Sequence, residues 1–105
     1  TLGFYNTYKR FKFIHINNKI DETTQRFVCA HELGHALLHP KANTPFLRNK
    51  TFFSVDRLEI EANTFAVELL LPDEMISEYQ DTNLSIQEIA EIYGIPESFA
   101  RLKSY

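Results

Sequence analysis

The spacing of apolar and polar positions changes period along the chain, and the changes divide it into elements. Residues 2 to 16 have a strand-like rhythm. Residues 2 to 5 read as a short strand, with Asn6 and Thr7 turning the chain. Phe11, Phe13 and His15 then alternate with Lys12, Ile14 and Ile16, which predicts a strand buried at least partly on both faces. His15 is expected to be a strand histidine packed on the sheet. Asn17 and Asn18 supply the turn into a segment of different period. In residues 21 to 38, DETTQRFVCAHELGHALL, apolar side chains occur on every side: Phe27, Ala30 and Leu37 on one flank, Cys29, Leu33 and Ala36 on another. Asp21 as N-cap, Glu22 in the first turn and Pro40 just past the end mark a helix. A helix that is apolar all round is expected to be buried.

Residues 39 to 50, rich in Pro, Asn and Lys, read as a loop. Residues 46 to 49 and 51 to 55 are expected to pair as a short hairpin about Asn49-Lys50. Asp56 then caps a second helix, residues 57 to 71, closed by Pro72. Glu59, Ala62, Asn63, Ala66 and Leu70 share one face of it. Small Ala62 and Ala66 would let it approach the first helix closely. A short third helix follows to residue 79. Ser85, with Glu88 three residues on, forms a capping box, and Gly94-Ile95-Pro96 breaks the helix it opens. Residues 97 to 102 give another turn or two. The expectation is one α+β domain over residues 1–105. Strands occupy 2–16, a metal helix 21–38, a second ligand helix 56–71 and an acidic helical tail 73–105.

Composition narrows this only in places. A length of 105 residues fits one core. No apolar run approaches the ~20 residues of a membrane span, and no signal-peptide pattern opens the chain. Cys29 is the single cysteine, so no internal disulfide forms and nothing points to an oxidising compartment. The start at Thr1 rather than Met points to a processed or trimmed chain, with a segment missing at the N-terminus. The last two helices superficially resemble a helix-turn-helix. From Asp73 onward, however, seven acids face two bases, Arg101 and Lys103. A surface that neutralises phosphates carries the opposite sign, so no direct nucleic-acid binding is expected.

The candidate chemistry lies in His31-Glu32-Leu33-Gly34-His35, which matches H-E-x-x-H. On a helix, residues four apart lie one turn apart on the same face, so His31 and His35 can grip one metal ion. Glu32, beside the first ligand, is placed to act as general base toward a water at that metal. Two histidines and a glutamate in a buried helix need partners, because burying unpaired polar groups costs several kcal/mol.

A catalytic zinc site needs three protein ligands and an open position. His39 continues the i, i+4 series but lies ~12 Å along the axis from His31, too far to share one ion. The longer metzincin pattern would need a histidine where Lys41 stands. Cys29 points to the far side of the helix, as a small hydrophobe. The second helix offers Glu59 and Glu61. Glu59 is favoured because it shares the face of Ala62 and Ala66, whereas Glu61 points about 200° away. Asn63, one turn after Glu59, is placed to bond the free ring nitrogen of a ligating histidine. Glu68 is expected on the surface. Tyr8, His15, Tyr79, Tyr93 and Tyr105 all remain open as donors to a developing oxyanion.

HELGHALLH followed by E-x-E-A-N-x-F-A-x-E-L-L-L-P resembles the ImmA/IrrE-type metallo-endopeptidases, from Phe11 to Pro72 with a similar acidic helical tail. The resemblance implies a zincin-like, gluzincin-like α+β domain: a small sheet packed on the central H-E-x-x-H helix, with additional C-terminal helices. It implies one Zn²⁺ per chain on His31, His35 and Glu59, with Glu32 as the catalytic base. It further implies a cytoplasmic bacterial or prophage protein that cuts a specific helix-turn-helix transcriptional repressor and so relieves repression. The competing expectation is a non-catalytic zinc module that sequesters a repressor or other partner. Intact Glu32 speaks against it, since a structural site has no use for a general base and prefers four protein ligands.

Overall fold

The computed structural model describes residues 2–40 and 57–103. The expected hairpin of residues 46 to 55, the Asp56 cap and Tyr105 lie outside them. Strands β1 (Gly3–Tyr8) and β2 (Phe11–Ile16) form a two-stranded antiparallel sheet in which Tyr5 pairs with Ile14 and Tyr8 with Phe11. Helices α1 (Glu22–Leu38), α2 (Arg57–Leu70), α3 (Asp73–Ser77), α4 (Ile86–Ile92) and α5 (Glu97–Ala100) follow. The result is a small α+β arrangement.

The first strand corrects the expected turn. Asn6 and Thr7 stay in the strand, and the chain reverses at Lys9-Arg10, where Lys9 takes a φ of 58°. Asn6 does not use its amide to bend its own backbone. Its Oδ1 lies 2.7 Å from His15 Nε2 across the sheet. The sheet is also less buried than expected. Facing residues of an antiparallel pair share a face, so Phe4, His15, Asn6, Phe13, Tyr8 and Phe11 lie together on one side. Tyr8, Phe11, Phe13 and His15 are exposed there. Tyr5, Ile14 and Ile16 line the other side, turned toward the helices, with Tyr5 fully buried. The strand is therefore buried on one face, and its aromatic content does not report its environment.

α1 packs most extensively against α2 and also against both strands. Its buried residues run from Phe27 to Ala36 and include His31, Glu32, Gly34 and His35. The expectation of burial all round fails at its C-terminal end, where Leu37 and Leu38 are exposed. α2 buries Glu59, Ala62, Asn63, Ala66 and Val67, its small-residue face. The main core joins Phe27 and Val28 of α1 to Ala66, Val67 and Leu71, and to Ile89, Ile95 and Phe99 of the tail. Phe27 and Phe99 stack with centroids 5.7 Å apart. The tail is thus a packing unit for α1 and α2. Its helices are short and strongly terminated. Ser85 and Glu88 close a reciprocal capping box on α4. At the other end Gly94 (φ 75°) and Ile95 donate to the carbonyls of Glu91 and Ala90, a Schellman closure. Lys103 Nζ ties the end of the described tail to Glu68 (3.0 Å) and Asp73 (2.6 Å). Among the described residues no helix is long and apolar enough to cross a membrane.

Candidate metal centre

The i, i+4 spacing places the His31 and His35 rings on one face of α1, edge to face, with centroids 4.7 Å apart. α2 brings Glu59 opposite them. Its Oε2 is 3.0 Å from His31 Nε2 and its Oε1 is 3.0 Å from His35 Nε2. One donor atom from each of the three residues falls within 4.8 Å of the others. The residues are 3%, 1% and 1% exposed, so water does not solvate them freely.

The hydrogen bonds around the cluster set its chemistry. His31 Nδ1 lies 2.7 Å from Asn63 Oδ1, and an amide oxygen only accepts. The His31 proton therefore sits on Nδ1 in the neutral ring, which leaves the Nε2 lone pair facing Glu59. His35 Nε2 and Glu59 Oε2 are buried without a hydrogen-bond partner despite their short separations. Lone pairs of two imidazoles and a carboxylate turned toward one another repel unless a cation lies between them. The two-histidine, one-carboxylate donor set fits a divalent metal such as zinc.

Charge follows the same logic. Where protons take the cation's place, burial pushes the Glu59 carboxyl up, but the hydrogen bonds and charge of His31 and His35 outweigh it and hold the group at about 2. Glu59 is thus anionic at neutral pH. Glu32 goes the other way: burial raises it, His31 and His35 lower it, and the Glu59 charge raises it again, with a net upward shift. Its Oε2 is 3.9 Å from His31 Nε2, beside the cluster and outside the converging set. A carboxylate whose proton affinity is raised this way suits a general base.

The remaining candidates separate cleanly. Glu61 points away, with Oε1 3.5 Å from both His39 Nε2 and Arg57 Nε. Cys29 is half-buried. Glu68 is engaged by Lys103. His15 is exposed, stacked on Phe4 at 4.5 Å. Tyr79 and Tyr93 pair through their hydroxyls at 3.1 Å, within the helical tail. Two residues near the site lie outside the expected ligand set, Tyr5 with no role expected of it and His39 excluded as a third donor. Tyr5 is buried, donates its hydroxyl proton to the His39 carbonyl (2.7 Å) and stacks toward His35. His39 turns its ring back to His35 rather than to the metal position. The regular spacing of His31, His35 and His39 was the available signal.

Comparisons with known proteins agree with this geometry. The family Peptidase_M78, described as the IrrE N-terminal-like domain, matches residues 1–105. Over 102 residues the chain is 54% identical to "Uncharacterized immunity region protein 2" of Bacillus phage phi105, covering 97% of this chain and 65% of that protein. Over 85 residues it is 40% identical to "Metallopeptidase ImmA" of Bacillus subtilis (strain 168), covering 79% of this chain and 49% of that protein. The chain thus spans 65% and 49% of the length of these two relatives. No solved structure matches it significantly. With the family matched over its whole length and a buried His-His-Glu cluster at its centre, this chain belongs to the ImmA/IrrE-type metallopeptidases of the Peptidase_M78 family.

Proposed function

We propose that the chain carries the catalytic centre of a zinc-dependent endopeptidase with a zincin-like fold. The observation behind this reading is the convergence of His31, His35 and Glu59 on one buried point, with a second carboxylate, Glu32, beside it. One Zn²⁺ held by those three side chains would leave a position open and would supply a Lewis acid that activates water and the scissile carbonyl. Glu59 balances part of the metal's charge as a carboxylate. Asn63 fixes the tautomer of His31. Glu32, with its proton affinity raised by burial, takes the proton of the attacking water and delivers it to the departing amine nitrogen as the C–N bond breaks.

The substrate is a transcriptional repressor with a helix-turn-helix domain, cut in the bacterial cytoplasm so that repression is relieved. This rests on the family resemblance and on the "immunity region" name of the phage relative. The test pairs elemental analysis with cleavage of a repressor encoded beside the protein. Wild type and Glu32→Gln should both bind one zinc. Glu32→Gln should cut 10²- to 10⁴-fold more slowly, about the range of general-base contributions. Zinc should be lost with Glu59→Ala and kept with Glu61→Ala. If Glu32→Gln relieves repression as well as wild type does, the chain sequesters its partner without cutting it and the peptidase reading falls.

A further inference from the structure

His39 ends α1 in a non-helical conformation (φ −129°, ψ 53°), and that bend directs its ring back along the helix. Its side chain is only 8% exposed, although the residue lies at a helix terminus. The residue is fastened at both backbone groups: its N–H donates to the His35 carbonyl (2.8 Å), and its own carbonyl accepts from Tyr5 Oη (2.7 Å). The ring then meets one imidazole and one carboxylate. Nδ1 lies 3.2 Å from His35 Nδ1, and Nε2 lies 3.5 Å from Glu61 Oε1, an oxygen shared with Arg57 Nε at 3.5 Å.

We propose that His39 is a positioning residue for the metal centre, holding His35 in the tautomer and orientation that present its Nε2 to the ion. This rests on the reading of His31, His35 and Glu59 as the metal ligands. The assignment follows from donor and acceptor counting. A neutral His35 that offers the Nε2 lone pair must carry its proton on Nδ1, and that proton needs an acceptor. The acceptor facing it is His39 Nδ1. His39 then carries its own proton on Nε2, the nitrogen directed at the Glu61 carboxylate. At 3.5 Å that last contact is an ion-pair distance at which His39 Nε2 makes no hydrogen bond, so Glu61 biases the His39 tautomer through its charge and does not fix the ring. Glu61, His39 and His35 thus form a line from the surface to the metal position, as Asn63 does in one step for His31. Each ligating imidazole receives its own acceptor, from opposite helices.

The test uses the full chain and Zn²⁺ titrated against a chromophoric chelator. His39→Ala should weaken zinc binding about 10- to 100-fold, the usual cost of losing such a partner. His39→Asn places an amide oxygen near the former Nδ1 and should recover most of that loss. His39→Ala should also lower the melting temperature of the metal-free protein, because it leaves a buried His35 donor unpaired, whereas His39→Asn should unfold near the wild-type temperature. Imidazole ¹H–¹⁵N correlations on zinc-loaded wild type give a readout that needs no variant: His35 should be protonated at Nδ1 and His39 at Nε2. Equal zinc affinity in wild type and His39→Ala overturns the proposal, as does a His39 proton on Nδ1. A wild type that takes up no zinc at all overturns the ligand reading and this inference together, and so is distinguishable from failure of His39 alone.

Discussion

Gly34 of α1 lies directly against Ala62 of α2: a Cβ on Gly34 would stand 3.2 Å from both the Cα and the carbonyl oxygen of Ala62. Gly34 adjoins His35, and Ala62 is one turn from Glu59. The close approach of the two backbones is therefore what lets one carboxylate sit 3.0 Å from two imidazoles. A bulkier pair would hold the helices apart and leave Glu59 short of one histidine.

Gly34→Ala sets two effects against each other. Alanine is about 1 kcal/mol better than glycine inside a helix. The new methyl, however, meets backbone atoms that cannot swing aside, and overpacking of this kind costs roughly 1–3 kcal/mol. Net stability should fall by about 1 kcal/mol, while zinc affinity should fall at least tenfold because His35 and Glu59, the proposed ligands beside this contact, are displaced. Thermal unfolding of the metal-free chain and a zinc competition titration measure the two separately. A variant with a higher melting temperature and unchanged zinc affinity would show that this contact does not set the ligand geometry.

Removing the Asn63 amide leaves the His31 Nδ1 proton without the acceptor now 2.7 Å away. Asn63→Ala should weaken zinc binding about 10- to 100-fold, and the unpaired buried donor should cost about 1–3 kcal/mol of stability. Asn63→Asp retains an acceptor at the same position and should bind zinc more tightly than the alanine variant. Equal binding by the two would mean that volume, and not the hydrogen bond, is what Asn63 contributes.

Period and spacing are local properties, and the parts of the site that depend on them could be read from the chain. The four-residue step from His31 to His35 requires only a helix. The choice of Glu59 over Glu61 required only knowing which face carries Ala62 and Ala66, and the structure turns Glu59 to the histidines and Glu61 to His39. The rise along an ideal helix rules out His39 as a third donor. Its contact with His35 depends on a terminal bend that spacing does not encode. The role of Gly34 is not local: it depends on Ala62 lying opposite, a pairing of two helices that neither segment's spacing encodes. The hairpin turn was misplaced because Asn6 is a turn former by habit, yet here its amide is engaged by His15 on the opposite strand. Phe11 and Phe13 misled in the same way, since an exposed aromatic strand has the alternation of a buried one.

The tail should respond unequally to its two terminators. α4 has seven residues, too few to persist without its ends and its packing. Ser85→Ala removes one half of the capping box and should cost about 1 kcal/mol. Gly94→Ala should cost more. It forces a side chain into a left-handed conformation, a penalty of roughly 1–2 kcal/mol. It also puts a Cβ 2.6 Å from the Thr23 side chain and 2.9 Å from the Thr23 carbonyl oxygen in the first turn of α1. Urea denaturation of both variants tests the order. A smaller loss for Gly94→Ala would mean that the tail shifts freely on α1.

Lys103 makes the fold sensitive to alkaline pH in a defined direction. Burial of its ammonium lowers its proton affinity, but Asp73 and Glu68 outweigh burial and raise it above the ordinary 10.5. A group whose folded-state value is raised stabilises fully below its unfolded value and loses that contribution as pH climbs through the folded one. The Lys103 contribution should therefore hold up to about pH 10.5 and disappear above it. Both carboxylates are substantially exposed, so screening limits the effect, and Lys103→Met should cost about 1–2 kcal/mol at neutral pH rather than the larger loss of a fully buried pair. Tyrosines titrate in the same alkaline range, so the informative quantity is the stability difference between wild type and Lys103→Met. That difference should be constant from pH 7 to 9 and should shrink above 10.5. A difference that stays constant through pH 12 would mean that the neutral amine packs as well as the ammonium does, leaving the two ion pairs with no net role in fastening the end of the tail.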